Sequence, residues 1–274
     1  MSRILAINAN TRVDATAEIA RSCDPYVDPN DDVQYVNVAQ GPAGIDSLLD
    51  VAISGLETAR VVARRRNDFD AFVIACANDP GLDAAREVTD KPVVGIAEAG
   101  MHLASMLGAT FSIVTFLPAE VQWMAELAVC YGLRSRLAST VTLGLTTSEV
   151  VTMEHGELLE RVRDGSRRAV DEDKAEVVIL AGSLMVGLAP PLTEQLGIPV
   201  ISAMVCGLKM AAVLASLGLT TSRAHKYQLP EKSERLPGFP EFAHVYRDLR
   251  GGIESPLDTR SGASSTGNVD GKTL

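Results

Sequence analysis

Residues 75–87 read ACANDPGLDAARE, with Cys76 standing between an apolar run and an Asn-Asp-Pro-Gly turn. A thiol in that position can work as an acid–base group on an acidic C–H bond, or as a nucleophile on a carbonyl or polarised alkene. The helical pattern that follows the turn would place backbone N–H groups near the sulfur and favour the thiolate. The competing expectation is that Cys76 packs as a small buried hydrophobe. Of the other thiols, Cys23 and Cys130 read as core filler on helices. Cys206 opens a helix four residues after a strand end, so helix packing and a place near a cleft both stay open.

Asn8, Asn10 and Thr11 follow the first apolar run and precede a helical pattern. Amide and hydroxyl groups at such a junction can bind a small anion or carbonyl, or cap the helix, or do both. Ala77 and Asn78 follow the thiol directly, and Asp79 shapes the turn. Glu98 and Thr115 come at the ends of later strand-like runs and are expected to line the same cleft. The four histidines, at 102, 155, 225 and 244, have no metal-ligand spacing. The NANTRVDAT stretch lacks the glycines that a dinucleotide-binding turn requires. We therefore expect neither a metal nor a cofactor.

Eight short apolar runs carry these residues: 4–8, 33–38, 71–76, 93–96, 111–116, 140–143, 177–181 and 200–202. They are rich in Val and Ile and mostly lack polar alternation, the pattern of strands buried on both faces. Helix-length segments separate them, at 16–23, 45–65, 100–107, 119–131, 148–173 and 207–217. The alternation predicts an α/β fold with parallel sheets.

With 274 residues, 46% of them apolar, the chain can bury a large core. Its formal charge of −10 argues against a partner bound through nucleic-acid phosphates. No apolar stretch approaches the roughly 18 residues of a membrane span, and the first ten residues lack a secretion-signal layout. Four cysteines without paired spacing fit a reduced, cytoplasmic setting.

An internal repeat organises the chain. Residues 70–108 can be laid on 175–218: each has an apolar strand, a small-residue turn, a helix, an X-Pro-Val step and a helix ending in Leu-Gly. Pro92 then matches Pro199, and Gly100 matches Gly207. Two pseudo-symmetric lobes follow, each a mostly parallel four-stranded sheet flanked by helices, with a cleft between them. The first lobe is expected over 1–115 plus 218–250, the second over 116–217. Residues 251–274, rich in Gly, Ser and Thr, read as a disordered tail. Ala181, Gly182 and Ser183 all remain candidates for the counterpart of Cys76.

The runs Asn8-Ala-Asn10-Thr11, Gly41-Pro42, Cys76-Ala-Asn-Asp-Pro-Gly-Leu-Asp-Ala-Ala-Arg, Gly95-Ile-Ala-Glu98-Ala and Ser112-Ile-Val-Thr115 resemble the hydantoin racemase branch of the aspartate/glutamate racemase superfamily. The likeness extends over roughly residues 3–223. It implies a cofactor-independent enzyme in which each lobe contributes one cysteine, one thiolate removing the α-proton and the opposite thiol returning one to the other face. It also implies that Cys76 is catalytic. The second cysteine is missing: Leu180-Ala-Gly182-Ser183-Leu stands where the resemblance places it. Gly182 replaces it without a gap, and Ser183 does so after a one-residue shift.

Three function classes follow. One is a racemase or isomerase of a carbonyl-activated small substrate such as a 5-substituted hydantoin. A second is a single-cysteine hydrolase of a C–N bond, or a decarboxylase of a malonate-type acid. The third is a non-catalytic ligand-binding protein. A homo-oligomer is expected, with no nucleic-acid or membrane partner.

Overall fold

The computed structural model describes residues 1–230, 236 and 238–251. Apart from Gly251, the expected tail at 251–274 lies outside them. The first sheet takes β1 (Arg3–Asn8), β2 (Asp32–Asn37), β3 (Ala71–Ile74) and β4 (Val93–Gly95). The second takes β5 (Phe111–Thr115), β6 (Leu137–Thr142), β7 (Val177–Leu180) and β8 (Val200–Ser202). The helices are α1 (Val13–Cys23), α2 (Leu48–Arg65), α3 (Leu82–Glu87), α4 (Ile96–Leu107), α5 (Glu120–Cys130), α6 (Thr147–Thr152), α7 (His155–Asp171), α8 (Ala189–Leu196), α9 (Ala203–Ser216) and α10 (Pro240–Gly251).

Both sheets are parallel throughout, in the orders β2-β1-β3-β4 and β6-β5-β7-β8. The two orders are the same permutation, which is the structural form of the repeat. β5 pairs with β6 and β7. It belongs to the second lobe, so the expected division at 115/116 falls one strand too late.

Strand periodicity distributes the core. Ile4, Ala6, Ala71 and Val73 of the first sheet and Phe111, Ile113, Val177 and Ile179 of the second face one shared cluster. Leu5, Ile7, Phe72 and Ile74 face a separate outer cluster with α2 and α10. Val114, Val178 and Leu180 face a third with α7 and α8. α4 and α9 lie in the shared layer between the sheets, packed on each other. α9 packs on β3 of the first sheet, and α4 on β7 of the second. The matched glycines permit this approach. A Cβ at Gly100 would sit 3.2 Å from Ile179 and 3.3 Å from Ala203, and one at Gly207 would sit 2.8 Å from Ile96.

Two elements differ from the sequence reading. The segment expected as one helix over 148–173 is α6 and α7, separated by extended backbone at Met153 and Glu154. The β-branched run Val150-Val151-Thr152 weakens helix just before the break. No helix-length segment was read beyond 217, yet Pro240–Gly251 form α10. Pro240 starts that helix, as proline does at a first helical position. Phe242, Val245 and Tyr246 of α10 bury on the first lobe's outer face, and Arg60 of α2 donates to Glu241 at 2.7 Å.

Candidate active site

In each sheet the chain leaves the middle strand pair in opposite directions, between β1 and β3 and between β5 and β7. Ligands of open α/β sheets bind beyond the strand ends at such a switch point. Here both switch points open on one cavity. It is lined by Asn8 at the end of β1, Ala75–Asn78 after β3, Thr115 at the end of β5 with Phe116 and Glu120 beyond it, and Ala181–Ser183 after β7. Ile45, before α2, and Thr147, at the start of α6, also line it, and the two segments touch where Thr147 Oγ1 donates to Asp46 Oδ1 at 3.3 Å. The volume is about 60 Å³. One water needs roughly 10–15 Å³ by the same measure, so the space suits a small molecule and no polymer.

The turn that holds Cys76 is over-determined. Ala75 N donates to Ile7 O at 2.8 Å and extends the ladder one residue past β3, and Asp79 N donates to Cys76 O at 3.0 Å. Asp79 has φ +43° and Gly81 φ +75°. A Cβ on Gly81 would stand 2.2 Å from the carbonyl oxygen of Gly55 in α2. Glycine is therefore required twice over at position 81, by conformation and by contact. The Asp79 carboxylate tucks under the start of α4, accepting from Ala97 N at 3.1 Å and Glu98 N at 2.9 Å. Tyr131, at the end of α5 in the other lobe, donates to it at 2.6 Å. Burial pushes the Asp79 carboxyl up to about 7 against the pull of these donors.

Cys76 is half-buried, reached from the cavity. Burial pushes its thiol up to about 12, the Asn78 backbone N–H and side chain pull it down, and the carboxylates of Glu120 and Asp79 push it further up. The resting group is thus a protonated thiol, whereas the helix-start argument pointed to a lowered one. α3 begins only at Leu82, and its dipole is outweighed. Asn78 lines the same cavity, and its Oδ1 is buried without a hydrogen-bond partner.

Sheet register settles the counterpart of Cys76. Ala181 N donates to Val114 O at 2.9 Å, as Ala75 N does to Ile7 O. Ala75 thus matches Ala181, and Cys76 matches Gly182. Ser183 matches Ala77 and also lines the cavity. A Cβ at Gly182 would lie 2.4 Å from Cζ of Phe116 and 2.8 Å from Cε of Met185. Phe116 fills the room that a side chain at 182 would use.

The remaining predicted residues divide. Asn8, Asn10, Ala77, Asn78 and Thr115 line the cavity with Cys76. The Asn8 amide is spent internally, its Nδ2 donating to Asn10 Oδ1 and Thr16 Oγ1, each at 3.0 Å. Thr11 is not among the lining residues; its hydroxyl and N–H hold the carbonyl of Pro42 at 3.2 and 3.0 Å. Glu98 is a correction: it borders a separate cavity, in a 2.5 Å ion pair with Arg86. The strand before it ends at Gly95, so Glu98 lies within the first turn of α4 and turns away from the thiol. Cys206 is buried beside a third cavity with Val186 and Pro190. Cys23 is buried as expected, but Cys130 is exposed at the end of α5.

Sequence reasoning missed Glu120. It stands at the first position of α5 and is nearly buried. Its Oε2 accepts from Thr115 Oγ1 at 2.6 Å, Phe116 N at 3.1 Å and Leu117 N at 2.9 Å. In sequence it looks like an ordinary first-turn acid. Its proximity to Thr115 was the one available signal.

Two matched parallel-sheet lobes around a small shared cavity place the chain in the two-lobed α/β class. The family model described as Asp/Glu/Hydantoin racemase matches residues 4–211. A hydantoin racemase of Paenarthrobacter aurescens is 39% identical over 236 residues, 85% of this chain and 100% of the relative. One from Pseudomonas sp. (strain NS671) is also 39% identical, over 88% of this chain and 96% of the relative. The allantoin racemase structure from Klebsiella pneumoniae superposes with a TM-score of 0.83 at 33% identity, covering 88% of this chain and 99% of that one. The chain belongs to the Asp/Glu/hydantoin racemase family and is an enzyme of the racemase/isomerase type.

Proposed function

We propose that the protein inverts the C5 stereocentre of a 5-substituted hydantoin, or a close cyclic ureide, with Cys76 as one acid–base group. The carrying observation is the cavity's chemistry: the Cys76 thiol shares a small space with the uncharged polar residues Asn78 and Thr115, and no Lys, Arg or His is among its lining residues. A hydantoin ring is uncharged and carries N–H donors and carbonyl acceptors for such polar side chains. Its C5–H is acidified by the adjacent carbonyl, so deprotonation needs no cofactor. A free amino acid or a malonate would instead bring a carboxylate beside Glu120 with no side-chain cation to meet it, which costs several kcal/mol in a desolvated site. The lone thiol in the cavity would suit decarboxylation, but the charge balance disfavours that substrate. The finer expectations of a cofactor-free reaction, a cytoplasmic setting and a homo-oligomer go with this reading. Light scattering of the purified protein measures the last.

The test is loss of optical activity from a single enantiomer of 5-isopropylhydantoin, followed by polarimetry. Wild type should racemise it. Cys76→Ala should lose at least 10²-fold, because a methyl group carries no proton and general acid–base groups contribute about 10²–10⁴. A Cys76→Ala protein within ten-fold of wild type would sink the assignment of Cys76.

A further inference from the structure

Racemisation needs a proton removed on one face of C5 and another delivered on the opposite face. Cys76 serves the wall built by the first sheet. On the wall built by the second, the residue in register with it is Gly182, and Phe116 lies over that position. Ser183 offers only a hydroxyl, a far weaker acid than a thiol. Among the lining residues, the ionisable side chains are Cys76 and Glu120. They come from opposite lobes, Cys76 from the turn after β3 and Glu120 from the first position of α5.

We propose that Glu120 is the second catalytic acid–base group of this cavity, acting on the substrate face opposite Cys76 in place of a second thiol. The inference rests on the hydantoin reading above. Three donors converge on Oε2, and Oε1 accepts none of the three. The carboxylate is thereby held rigidly with one oxygen left for the substrate. Its charge already reaches Cys76, raising the thiol.

The pair shares one proton. In the resting state Cys76 is a thiol and Glu120 a carboxylate. Glu120 takes the C5 proton on its side, the electron pair delocalises into the adjacent carbonyl, and the Cys76 S–H returns a proton to the other face. The enzyme is left as thiolate and carboxylic acid. That form processes the opposite enantiomer by the reverse transfers, or returns to rest by exchanging protons with solvent. No redox partner or further reactant is needed.

The experiment follows each enantiomer of 5-isopropylhydantoin in D₂O by proton NMR, with chiral separation of the products. Wild type should invert both and place deuterium in the inverted product. Glu120→Gln should lose inversion by at least 10²-fold, yet still exchange the C5 proton of one enantiomer with retention, because Cys76 can remove and return a proton on its own side. Cys76→Ala should do the same for the other enantiomer. Glu120→Gln should also speed Cys76 alkylation at pH 8–9, since a neighbouring charge is gone. Inversion by Glu120→Gln within ten-fold of wild type would overturn the proposal. So would equal loss of exchange for both enantiomers in a folded Glu120→Gln protein, which would make Glu120 a support for the β5–α5 turn only. A wild type that inverts neither enantiomer would instead refute the hydantoin reading, and this inference with it.

Discussion

Alkylation of Cys76 in the empty enzyme measures how the cavity holds its thiol. A group with its pKa pushed up to about 12 is thiolate in only about one part in 10⁴ at pH 8, whereas a thiol near 8.5 is about one-quarter ionised. Ionisation alone therefore slows reaction by about 10³·⁴. A more basic thiolate is a better nucleophile, with a Brønsted slope of about 0.4–0.5. Over about 3.5 pKa units that returns roughly 10¹·⁶. Ionisation wins, and the net expectation is reaction about 60-fold slower than a free thiol of ordinary pKa, before any steric slowing in a half-buried site. The assay is iodoacetamide labelling read by peptide mass spectrometry from pH 7 to 10, with glutathione as reference and exposed Cys130 as a check on reagent activity. The Cys76 rate should still climb tenfold per pH unit at pH 9. Labelling at pH 8 as fast as glutathione, with a midpoint below 9, would refute the protonated resting thiol and remove the reason for giving Glu120 the resting base role.

Gly182→Cys alone should add little racemisation, because its Cβ would fall 2.4 Å from the Phe116 ring; adding Phe116→Ala should free the thiol and raise the rate above that of Phe116→Ala alone, by polarimetry. Gly81→Ala should cost at least about 2 kcal/mol, combining a left-handed conformation with a Cβ 2.2 Å from Gly55 O, read from the urea midpoint. Asp79 has a folded-state pKa of about 7 against an ordinary 3.8, so its protonated form is favoured in the native state. Its contribution to stability is full below about pH 4 and is lost as pH rises to about 7, by up to roughly 4 kcal/mol at 1.36 kcal/mol per unit. Asp79→Asn should flatten that part of the stability–pH curve in urea titrations.

Much of the architecture was legible because buried parallel strands write themselves as short apolar runs, and all eight were found within a few residues at each end. The repeat at 70–108 and 175–218 foretold two lobes, and ACANDPGLD marked the catalytic candidate because its turn needs glycine and proline at fixed places. The absent second thiol was also legible, although the register that equates Cys76 with Gly182 was not, since it depends on which carbonyl each strand end meets. Long-range packing decided the rest. Glu120 joins the cavity because the β5–α5 turn folds its carboxylate back onto Phe116 and Leu117, and nothing in its spacing distinguishes it from a solvated first-turn acid. Glu98 looked equivalent in sequence, yet α4 begins at Ile96 and carries it round to Arg86. Phe116 is an unremarkable strand-end aromatic until the second lobe places it over Gly182. One-dimensional patterns report which face of an element is buried. Which side chains meet across a cavity is set by how two sheets and the helices between them are brought together.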